Sequence, residues 1–266
     1  MITEWRGKWA LVTGASAGIG QALARELAAG GTNLILTARR LDRLELFAGE
    51  LKTKYSVSTE VFAADLAQGD APEKVFAFTQ ERGLAVELLI NNAGFGQFGE
   101  VVDIATQRLL DMVQVNCNAV VHLTRLYLPE MIARRRGDIL ILASIASFQA
   151  VPYISVYAAT KAFDLLFAEG LAEEVRAHGV RVCALCPGST ESEFHQVAGQ
   201  DHVKLAARHR ETAEKVARVG LAALAAGKSS VVSGAGNAFG VVMQRLVPRR
   251  LVTRIAASMF RPKIKN

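Results

Sequence analysis

The stretch WALVTGASAGIGQALARELAAGG, residues 9–31, contains the pattern that decides the fold. An apolar run leads into a turn with Gly14, Gly18 and Gly20, and the turn leads into a segment with helical periodicity. Glycine permits a tight turn and close approach of the backbone to a phosphate, and the free N–H groups of a helix start attract an anion. The order of strand, glycine turn and helix therefore predicts a dinucleotide site. A plain strand-to-helix turn is the alternative interpretation.

The alternation of apolar runs and amphipathic stretches continues along most of the chain. This order predicts an α/β fold, a doubly wound parallel sheet of seven strands in a single Rossmann-like domain. In such sheets the ligand lies beyond the carboxyl ends of the strands, near the point where the winding reverses. The predicted strands are residues 8–13, 33–38, 59–63, 87–91, 138–143, 180–186 and 229–233.

Composition excludes several classes of protein. Of the 266 residues, 51% are hydrophobic and 21% are charged, which suits one large core and argues against disorder. The amino-terminal stretch lacks a signal-peptide pattern and no run approaches a membrane span, so we expect a soluble cytoplasmic protein. Cys183 and Cys186 form a CxxC, which we interpret as two buried strand residues on opposite faces and not as a redox or metal pair.

The positive charge is concentrated at the carboxyl end. The net charge is +6, and residues 241–266 carry seven basic and no acidic side chains, so the first 240 residues sum to 6 − 7 = −1. A nucleic-acid partner is not expected, because the body of the chain is nearly neutral and carries no reading motif.

The end of the second predicted strand indicates which dinucleotide binds. Ala38 stands where an acidic residue would bond the ribose 2′-hydroxyl of NAD, and Arg39 and Arg40 follow, as they would to accept the 2′-phosphate of NADP. We interpret the nearby Asp42 as the cap of the next helix. The sequence therefore favours NADP(H) over NAD(H), with a solvated arginine loop as the alternative.

A tyrosine and a lysine complete the pattern. Tyr157 and Lys161, in YAATK, share a helix face, and a phenol that works as an acid or base near neutral pH needs such a positive charge nearby. With the glycine turn, they resemble the motifs of the short-chain dehydrogenase/reductase family, in its single-domain branch. The other matching motifs are Asp65 in AADL, NNAG at 91–94, Asn116 in VNCNA, Ser144 in ILAS and PGST at 187–190.

The resemblance implies a role for each motif. Tyr157 is the acid/base, and Lys161 lowers its pKa and bonds the nicotinamide ribose. Ser144 polarises the substrate carbonyl, although a helix-cap serine is the alternative, and Asn116 holds a water that extends a proton relay. Asp65 contacts the adenine. The expected cofactor-binding residues are Gly14, Ser16, Ala17, Gly18, Ile19, Gly20, Arg39, Arg40, Asp65, Leu66, Asn92, Ala93, Gly94, Tyr157, Lys161, Pro187, Gly188 and Thr190.

The resemblance thus implies an oxidoreductase that transfers a hydride between NADP(H) and a carbonyl or secondary alcohol of an apolar substrate. It also implies a homodimer or homotetramer, assembled through the helices that include Asn116 and Tyr157. No metal is expected. A non-catalytic NADP(H)-binding scaffold or sensor, docked on a membrane or a partner, is the alternative, and the presence of all four catalytic groups favours the enzyme.

Aromatic residues in the loops beyond the sheet indicate the substrate class. Phe95, Phe148, Tyr153 and Phe194 are the expected pocket residues, and such a lining suits an apolar ketone or aldehyde. Some of these rings are expected to lie in the core instead.

The segment after PGST contains His195, His202 and His209 at seven-residue spacing. A metal site is one interpretation, but Gly199 interrupts the helical pattern and helical ligand pairs are usually closer, so a polar lid is favoured.

The carboxyl-terminal tail is treated as an extension of the same domain. We expect residues 1–240 to form the dinucleotide-binding catalytic domain and residues 241–266 to form a basic amphipathic helix. Leu251, Val252, Ile255 and Met259 lie at helical spacing between arginines. This pattern fits weak contact with a membrane surface or docking on a neighbouring subunit, and the second is favoured.

Overall fold

The computed structural model describes residues 2–194, 198–199 and 210–261. Its centre is a seven-stranded parallel sheet in the order β3-β2-β1-β4-β5-β6-β7. The α/β doubly wound fold is confirmed, and every strand lies within two residues of its predicted range. The strands are β1 (Trp9–Thr13), β2 (Asn33–Ala38), β3 (Thr59–Ala63), β4 (Val86–Asn91), β5 (Gly137–Leu142), β6 (Val180–Cys186) and β7 (Ser230–Val232).

Helices cover both faces of the sheet. Those of the described residues are α1 (Gly18–Ala29), α2 (Leu41–Tyr55), α3 (Ala71–Glu81), α4 (Thr106–Val113), α5 (Ala119–Ala133), α6 (Ser155–Val175), α7 (Ala213–Ala225), α8 (Ala235–Met243) and α9 (Arg249–Phe260). One apolar core joins α1, α2 and α7 to the sheet, and a second joins α3, α5 and α6 to its other face. Strands covered on both faces are apolar throughout, which is why the sequence shows continuous runs instead of alternation.

The CxxC of β6 divides between these two cores. Cys183 packs in the first core and Cys186 in the second, as expected for strand residues three apart. Both are free thiols, and burial raises the pKa of each to about 12. A thiol that stays protonated at neutral pH is a poor nucleophile and a poor metal ligand, so the interpretation as core residues is confirmed.

The winding reverses between β1 and β4, and hydrogen bonds fix the two strand ends to each other. The Thr13 hydroxyl accepts from the N–H groups of Asn92 and Ala93, both at 2.9 Å, and donates to the Ile90 carbonyl oxygen at 3.1 Å. The Asn92 amide donates back to the Thr13 carbonyl oxygen at 2.8 Å. The floor of the crevice is therefore rigid where a ligand would lie.

Two local features differ from the sequence-based expectations. Asp42 does not cap α2: Arg40 occupies the cap position, and no side chain accepts a hydrogen bond there. Asp42 instead lies in the first turn, where a carboxylate suits the helix dipole. Asn116 lies in a π-helical turn, Gln114–Asn118, that joins α4 to α5, and not in a regular α-helix.

The described part of the tail, residues 241–261, contains the end of α8 and the whole of α9. On α9, Ala256 and Phe260 pack in a small third cluster with Ala146, Val151 and Ile154. In the part of the chain that the structure describes, no helix combines the length and hydrophobicity needed to cross a bilayer.

Candidate active site

One cavity of about 640 Å³ opens along the carboxyl edge of the sheet. Its size falls in the range of small-molecule sites, and it runs from the glycine turn, past Tyr157, to the end of α9. The structure brings all the sequence-predicted cofactor residues to its wall: Gly14, Ser16, Ala17, Gly18, Ile19, Gly20, Arg39, Arg40, Asp65, Leu66, Asn92, Ala93, Gly94, Tyr157, Lys161, Pro187, Gly188 and Thr190.

The glycine turn fits a pyrophosphate. Gly14 has φ +66°, and a Cβ there would lie 2.8 Å from the Asn92 amide nitrogen. Gly18 also has positive φ, at +56°, a conformation that L side chains rarely adopt. Ala17 stands at the cap position of α1, and no side chain caps that helix start. The uncapped N–H groups and the absence of side chains therefore leave a cradle for an anion at the cavity wall.

Next along the cavity, Arg40 lies where the adenosine ribose of a dinucleotide is expected to bind. Its guanidinium donates to the Ser16 hydroxyl at 3.1 Å and to the Glu193 carboxylate at 2.9 Å, while Arg39 is exposed. Arg43 also donates to Glu193, at 2.7 Å. Hydrogen bonds from Arg43 and Arg40 lower the pKa of Glu193, so this carboxylate is charged and competes with any anion for Arg40.

Glu193 was not predicted from the sequence. It lies 150 residues after Arg43 along the chain, and no local pattern connects the two.

Lys161 is held from two sides at the centre of the cavity. Its ammonium donates to the Leu142 carbonyl oxygen at 2.6 Å and to the Asp164 carboxylate at 2.9 Å, and lies 6.0 Å from the centre of the Tyr157 ring. The side chains of Lys161 and Asp164 are 5% and 0% exposed. Burial is the largest single influence and opposes the lysine's charge, but the charge and hydrogen bond of Asp164, together with the nearby Tyr157 and Cys117, outweigh it, so the pKa of Lys161 is raised.

Asp164 is the second group that sequence analysis missed. A carboxylate three residues after the lysine, within the otherwise apolar run KAFDLLF, was a visible signal. Among the described residues, no hydrogen-bond donor meets its other oxygen, Oδ1. An acidic residue in such a position is costly unless it pairs with a buried cation, and here Lys161 is that cation.

Tyr157 titrates under opposing influences. Burial raises its pKa, and the Asp164 charge adds to that effect, whereas Lys161 and a hydrogen bond with Ser144 lower it. The net direction is upward, so the phenol is protonated at neutral pH and can serve as a proton donor.

Ser144 caps a short turn, which is one of the two roles that the sequence left open. Its hydroxyl oxygen accepts from the Ala146 N–H at 3.1 Å and caps the short 3-10 turn Ile145–Phe148. In return, Ser147 accepts from the Ser144 N–H and donates to the Lys161 carbonyl oxygen. Ser144 also lies on the cavity wall, and because the cap uses only a lone pair of its oxygen, the O–H can donate to Tyr157 or to a carbonyl oxygen.

Asn116 is fully buried, and its amide is occupied by protein groups. The oxygen accepts from the Phe95 N–H at 3.1 Å, and the nitrogen donates to the Phe95 carbonyl oxygen and the Thr160 hydroxyl, both at 3.0 Å. The side chain thus ties the loop after β4 to α6, which carries Tyr157. The neighbouring Asn118 is exposed and bonds only Gln114 among the described residues.

Only two of the four expected aromatic residues reach the cavity. Phe95 and Phe194 line it, and the Phe194 ring lies 5.1 Å from Tyr157. Phe148 packs against the second core, and Tyr153 lies against Phe98 with ring centres 6.4 Å apart. The structure therefore places Phe148 and Tyr153 off the cavity wall.

Residues far along the chain complete the apolar end of the cavity. Val151 and Ile154 lie on this wall, and Met259 and Phe260 reach it from α9. The three histidines of the disfavoured metal interpretation, His195, His202 and His209, lie outside the described residues. Among those described, no group of three potential ligands could hold a metal ion.

Comparisons with known proteins match this geometry. The short chain dehydrogenase family model covers residues 8–203. The very-long-chain 3-oxoacyl-CoA reductase of Phaeosphaeria nodorum is 39% identical over 181 residues, which are 66% of this chain and 53% of that protein. This chain therefore aligns with about half the length of that relative.

Two solved structures are similar over nearly the whole chain. A short-chain dehydrogenase from Sphingobium yanoikuyae in complex with NADPH has a TM-score of 0.81 at 28% identity, and covers 90% of this chain and 94% of its own. A structure from work on 7β-hydroxysteroid dehydrogenase stereoselectivity has a TM-score of 0.86 at 28% identity, over 96% and 98% of the two chains.

Proposed function

Because this chain belongs to the short-chain dehydrogenase family, we propose that it is an NADP(H)-dependent reductase of apolar ketones or aldehydes. One observation carries the proposal: Ser144, Tyr157 and Lys161 meet in a single cavity that also contains an uncapped glycine turn and an apolar end. A non-catalytic scaffold would not need these groups in one cavity.

The chain's own groups divide the work of the reaction. When bound, the nicotinamide supplies a hydride to the carbonyl carbon. Ser144 donates its O–H to the carbonyl oxygen and stabilises the charge that develops there. Tyr157 then gives its phenolic proton to the same oxygen, and Lys161 stabilises the phenolate that remains.

The preference for NADP(H) rests on Arg40. This guanidinium and the Ser16 hydroxyl are 3.1 Å apart at the edge of the adenosine end, so both can donate to a 2′-phosphate. Ala38 leaves no carboxylate at the end of β2 to bond a ribose hydroxyl. The NADPH bound by the Sphingobium yanoikuyae relative supports the same preference.

The proposed substrates are bulky apolar carbonyl compounds. Phe95, Phe194, Val151, Ile154 and Met259 give the cavity an apolar end, with the Arg108 guanidinium 4.1 Å from the centre of the Phe95 ring. One relative is named a very-long-chain 3-oxoacyl-CoA reductase, and one structural neighbour comes from work on 7β-hydroxysteroid dehydrogenase. Both names indicate substrates with a large apolar body.

Assembly and location remain part of the proposal. Val113 and Val121 on α4 and α5, and Phe163 and Leu166 on α6, are exposed apolar side chains. A homodimer or homotetramer that joins these helices would bury them. A cytoplasmic location stays a prediction.

The test is consumption of NADPH, followed by absorbance, against aliphatic, aromatic and polycyclic ketones, with NADH in parallel. We expect turnover with the bulky apolar ketones and NADPH. Tyr157→Phe should abolish turnover and leave NADPH affinity within about twofold, because the ring stays and only the proton donor is lost. Near-normal turnover in that variant would refute the assignment.

A further inference from the structure

The last two helices, α8 and α9, each expose a row of apolar side chains. Phe239, Val242 and Met243 on α8, followed by Leu246, lie at spacings of three, four and seven residues, which is one face of a helix. Phe239 is 68% exposed and Leu246 is 75% exposed. On α9, Leu251, Ile255 and Met259 repeat every four residues and are also exposed. We call these seven residues the tail surface.

The charge around the tail surface has a single sign. Five exposed arginines accompany it, and residues 234–261 contain no aspartate or glutamate. None of the five pairs with a carboxylate among the residues that the structure describes. The arginines are Arg245, Arg249, Arg250, Arg254 and Arg261.

The opposite face of α9 packs on the active-site domain. Ala256 is buried and Phe260 is half-buried in the third core cluster, and Met259 and Phe260 both line the cavity. Met259 is thus shared by the tail surface and the cavity wall. The tail surface therefore borders the apolar end of the cavity.

We propose that the tail surface docks on an anionic lipid bilayer, with its apolar side chains among the acyl chains and its arginines at the headgroups. Exposed apolar stripes flanked by arginines, on helices too short to span, have the form of interfacial helices. Lipid phosphates supply the negative charge that the tail lacks. The bilayer then delivers apolar carbonyl compounds to the cavity, a step that rests on the proposed function.

A second copy of the chain fits this surface less well. In a two-fold interface the same patch meets itself, so the five arginines of one subunit would face the same five of its partner without an acidic side chain between them. Like charges brought together in a desolvated interface are strongly unfavourable. The exposed face of α4, α5 and α6 has no such concentration of one charge.

The test is co-sedimentation of the full-length protein with vesicles. One set contains phosphatidylcholine alone, and the other contains equal parts phosphatidylcholine and phosphatidylglycerol. We expect binding to the anionic vesicles only, reduced about tenfold when NaCl rises from about 50 to about 500 mM, because salt screens the arginine contacts. A protein that stays in the supernatant with anionic vesicles at low salt overturns the proposal.

Two variants separate the contributions, and neither changes a residue of the cavity wall. The double variants Leu246→Ser/Leu251→Ser and Arg249→Gln/Arg250→Gln should each weaken binding to anionic vesicles about tenfold. The matched control is Leu46→Ser, an 80% exposed leucine on α2, which should bind as the wild type does. Unchanged sedimentation of both tail variants would also overturn the proposal.

Light scattering and activity assays distinguish the other outcomes. If the wild type is an oligomer that does not bind the vesicles, and the Leu246→Ser/Leu251→Ser variant is a monomer, the tail surface is a subunit interface. Reduction of a water-soluble ketone without vesicles tests the enzyme function separately. An active enzyme that does not sediment refutes only the docking, whereas an inactive protein that sediments refutes only the proposed reaction.

Discussion

The buried Asp164 sets the electrostatics of the proposed acid/base. Its carboxylate lies 2.9 Å from the Lys161 ammonium, and its charge raises the pKa of Tyr157 while Lys161 lowers it. Reduction needs the phenol as proton donor, and alcohol oxidation needs the phenolate as base. A carboxylate beside the lysine therefore favours the protonated tyrosine, the form that reduction uses.

Asp164→Asn should lower the pKa of Tyr157, because the lysine would then act on the phenol without an opposing charge. The acid limb of the kcat/KM profile for alcohol oxidation should move to lower pH, and reduction should begin to fail at lower pH. The measurement is a pair of pH profiles, one in each direction. Glu173→Gln, on the exposed end of the same helix, is the control. An unchanged profile, or one displaced upward, contradicts this account.

We expect Glu193 to weaken the binding of NADPH. Because it holds Arg40 and Arg43 by hydrogen bonds, a 2′-phosphate must compete with it for the guanidinium. Glu193→Gln should therefore tighten NADPH binding and leave NADH binding nearly unchanged. Arg40→Gln should weaken NADPH binding about tenfold or more, because a charge-assisted hydrogen bond is lost. Titration calorimetry measures both, and equal effects on the two cofactors would remove the assigned role of Arg40.

Local sequence patterns identified the residues that belong to motifs, but not the charged residues that pair with them. Tyr157 and Lys161 could be predicted to lie close together, because residues four apart share one face of a helix. Glu193 depends on contact between segments 150 residues apart, and Asp164 was visible only as an acid within an apolar run. Phe148 and Tyr153 were misplaced because composition does not reveal which way a loop turns.

At the scale of elements, the glycine turn depends on its contact with the end of β4. A Cβ on Gly20 would overlap the Asn92 amide nitrogen and the Gly14 carbonyl oxygen. Neither atom can withdraw easily, since Asn92 is bonded to Thr13 and the other atom is backbone. The turn and the floor of the crevice therefore move together.

Gly20→Ala should lower the free energy of unfolding by about 2 kcal/mol and weaken NADPH binding, because the overpacked turn must shift. Gly49→Ala on α2 is the matched control, since no atom lies within 4 Å of its new Cβ. That change should leave binding intact and stabilise the helix by up to about 1 kcal/mol. Urea denaturation and NADPH titration measure the pair. Equal behaviour of the two variants would contradict the packing argument.

The regular elements were more predictable than the irregular ones. Strands covered on both faces produce continuous apolar runs, so all seven strands could be predicted from sequence. The π-helical turn around Asn116 could not, because its extra residue is stabilised by contacts with Phe95 and Thr160 from other elements. Asp42 was assigned as a cap from residue type alone, but the helix begins at Leu41, two residues too early for that.

At the scale of the whole molecule, the cavity joins two ends built from different parts of the chain. The nucleotide end comes from β1, β2 and β4, within the first 95 residues, and the apolar end is closed by α9 near residue 260. The tail was predicted as an amphipathic helix, but its place on the cavity wall follows from packing against residues 146–158. Sequence periodicity carries no information about that distant contact.

Phe260→Ala should weaken the binding of the substrate and leave the binding of the cofactor unchanged. The ring lines only the apolar end, so we expect KM for a bulky ketone to rise about tenfold and the NADPH dissociation constant to stay within about twofold. Leu46→Ala, an exposed residue of α2, is the control. Steady-state kinetics and NADPH titration give both quantities. A variant that loses NADPH affinity instead would show that the tail supports the whole cavity.

The measurement that tests the central claim most directly is isotope transfer. The protein is incubated with NADPH deuterated at the hydride-donating position and with a bulky apolar ketone, and the alcohol is analysed by mass spectrometry. We predict one deuterium on the carbinol carbon with the wild type and no product with Tyr157→Phe. Product without deuterium, or NADPH binding without any product across the ketone panel, would contradict the account.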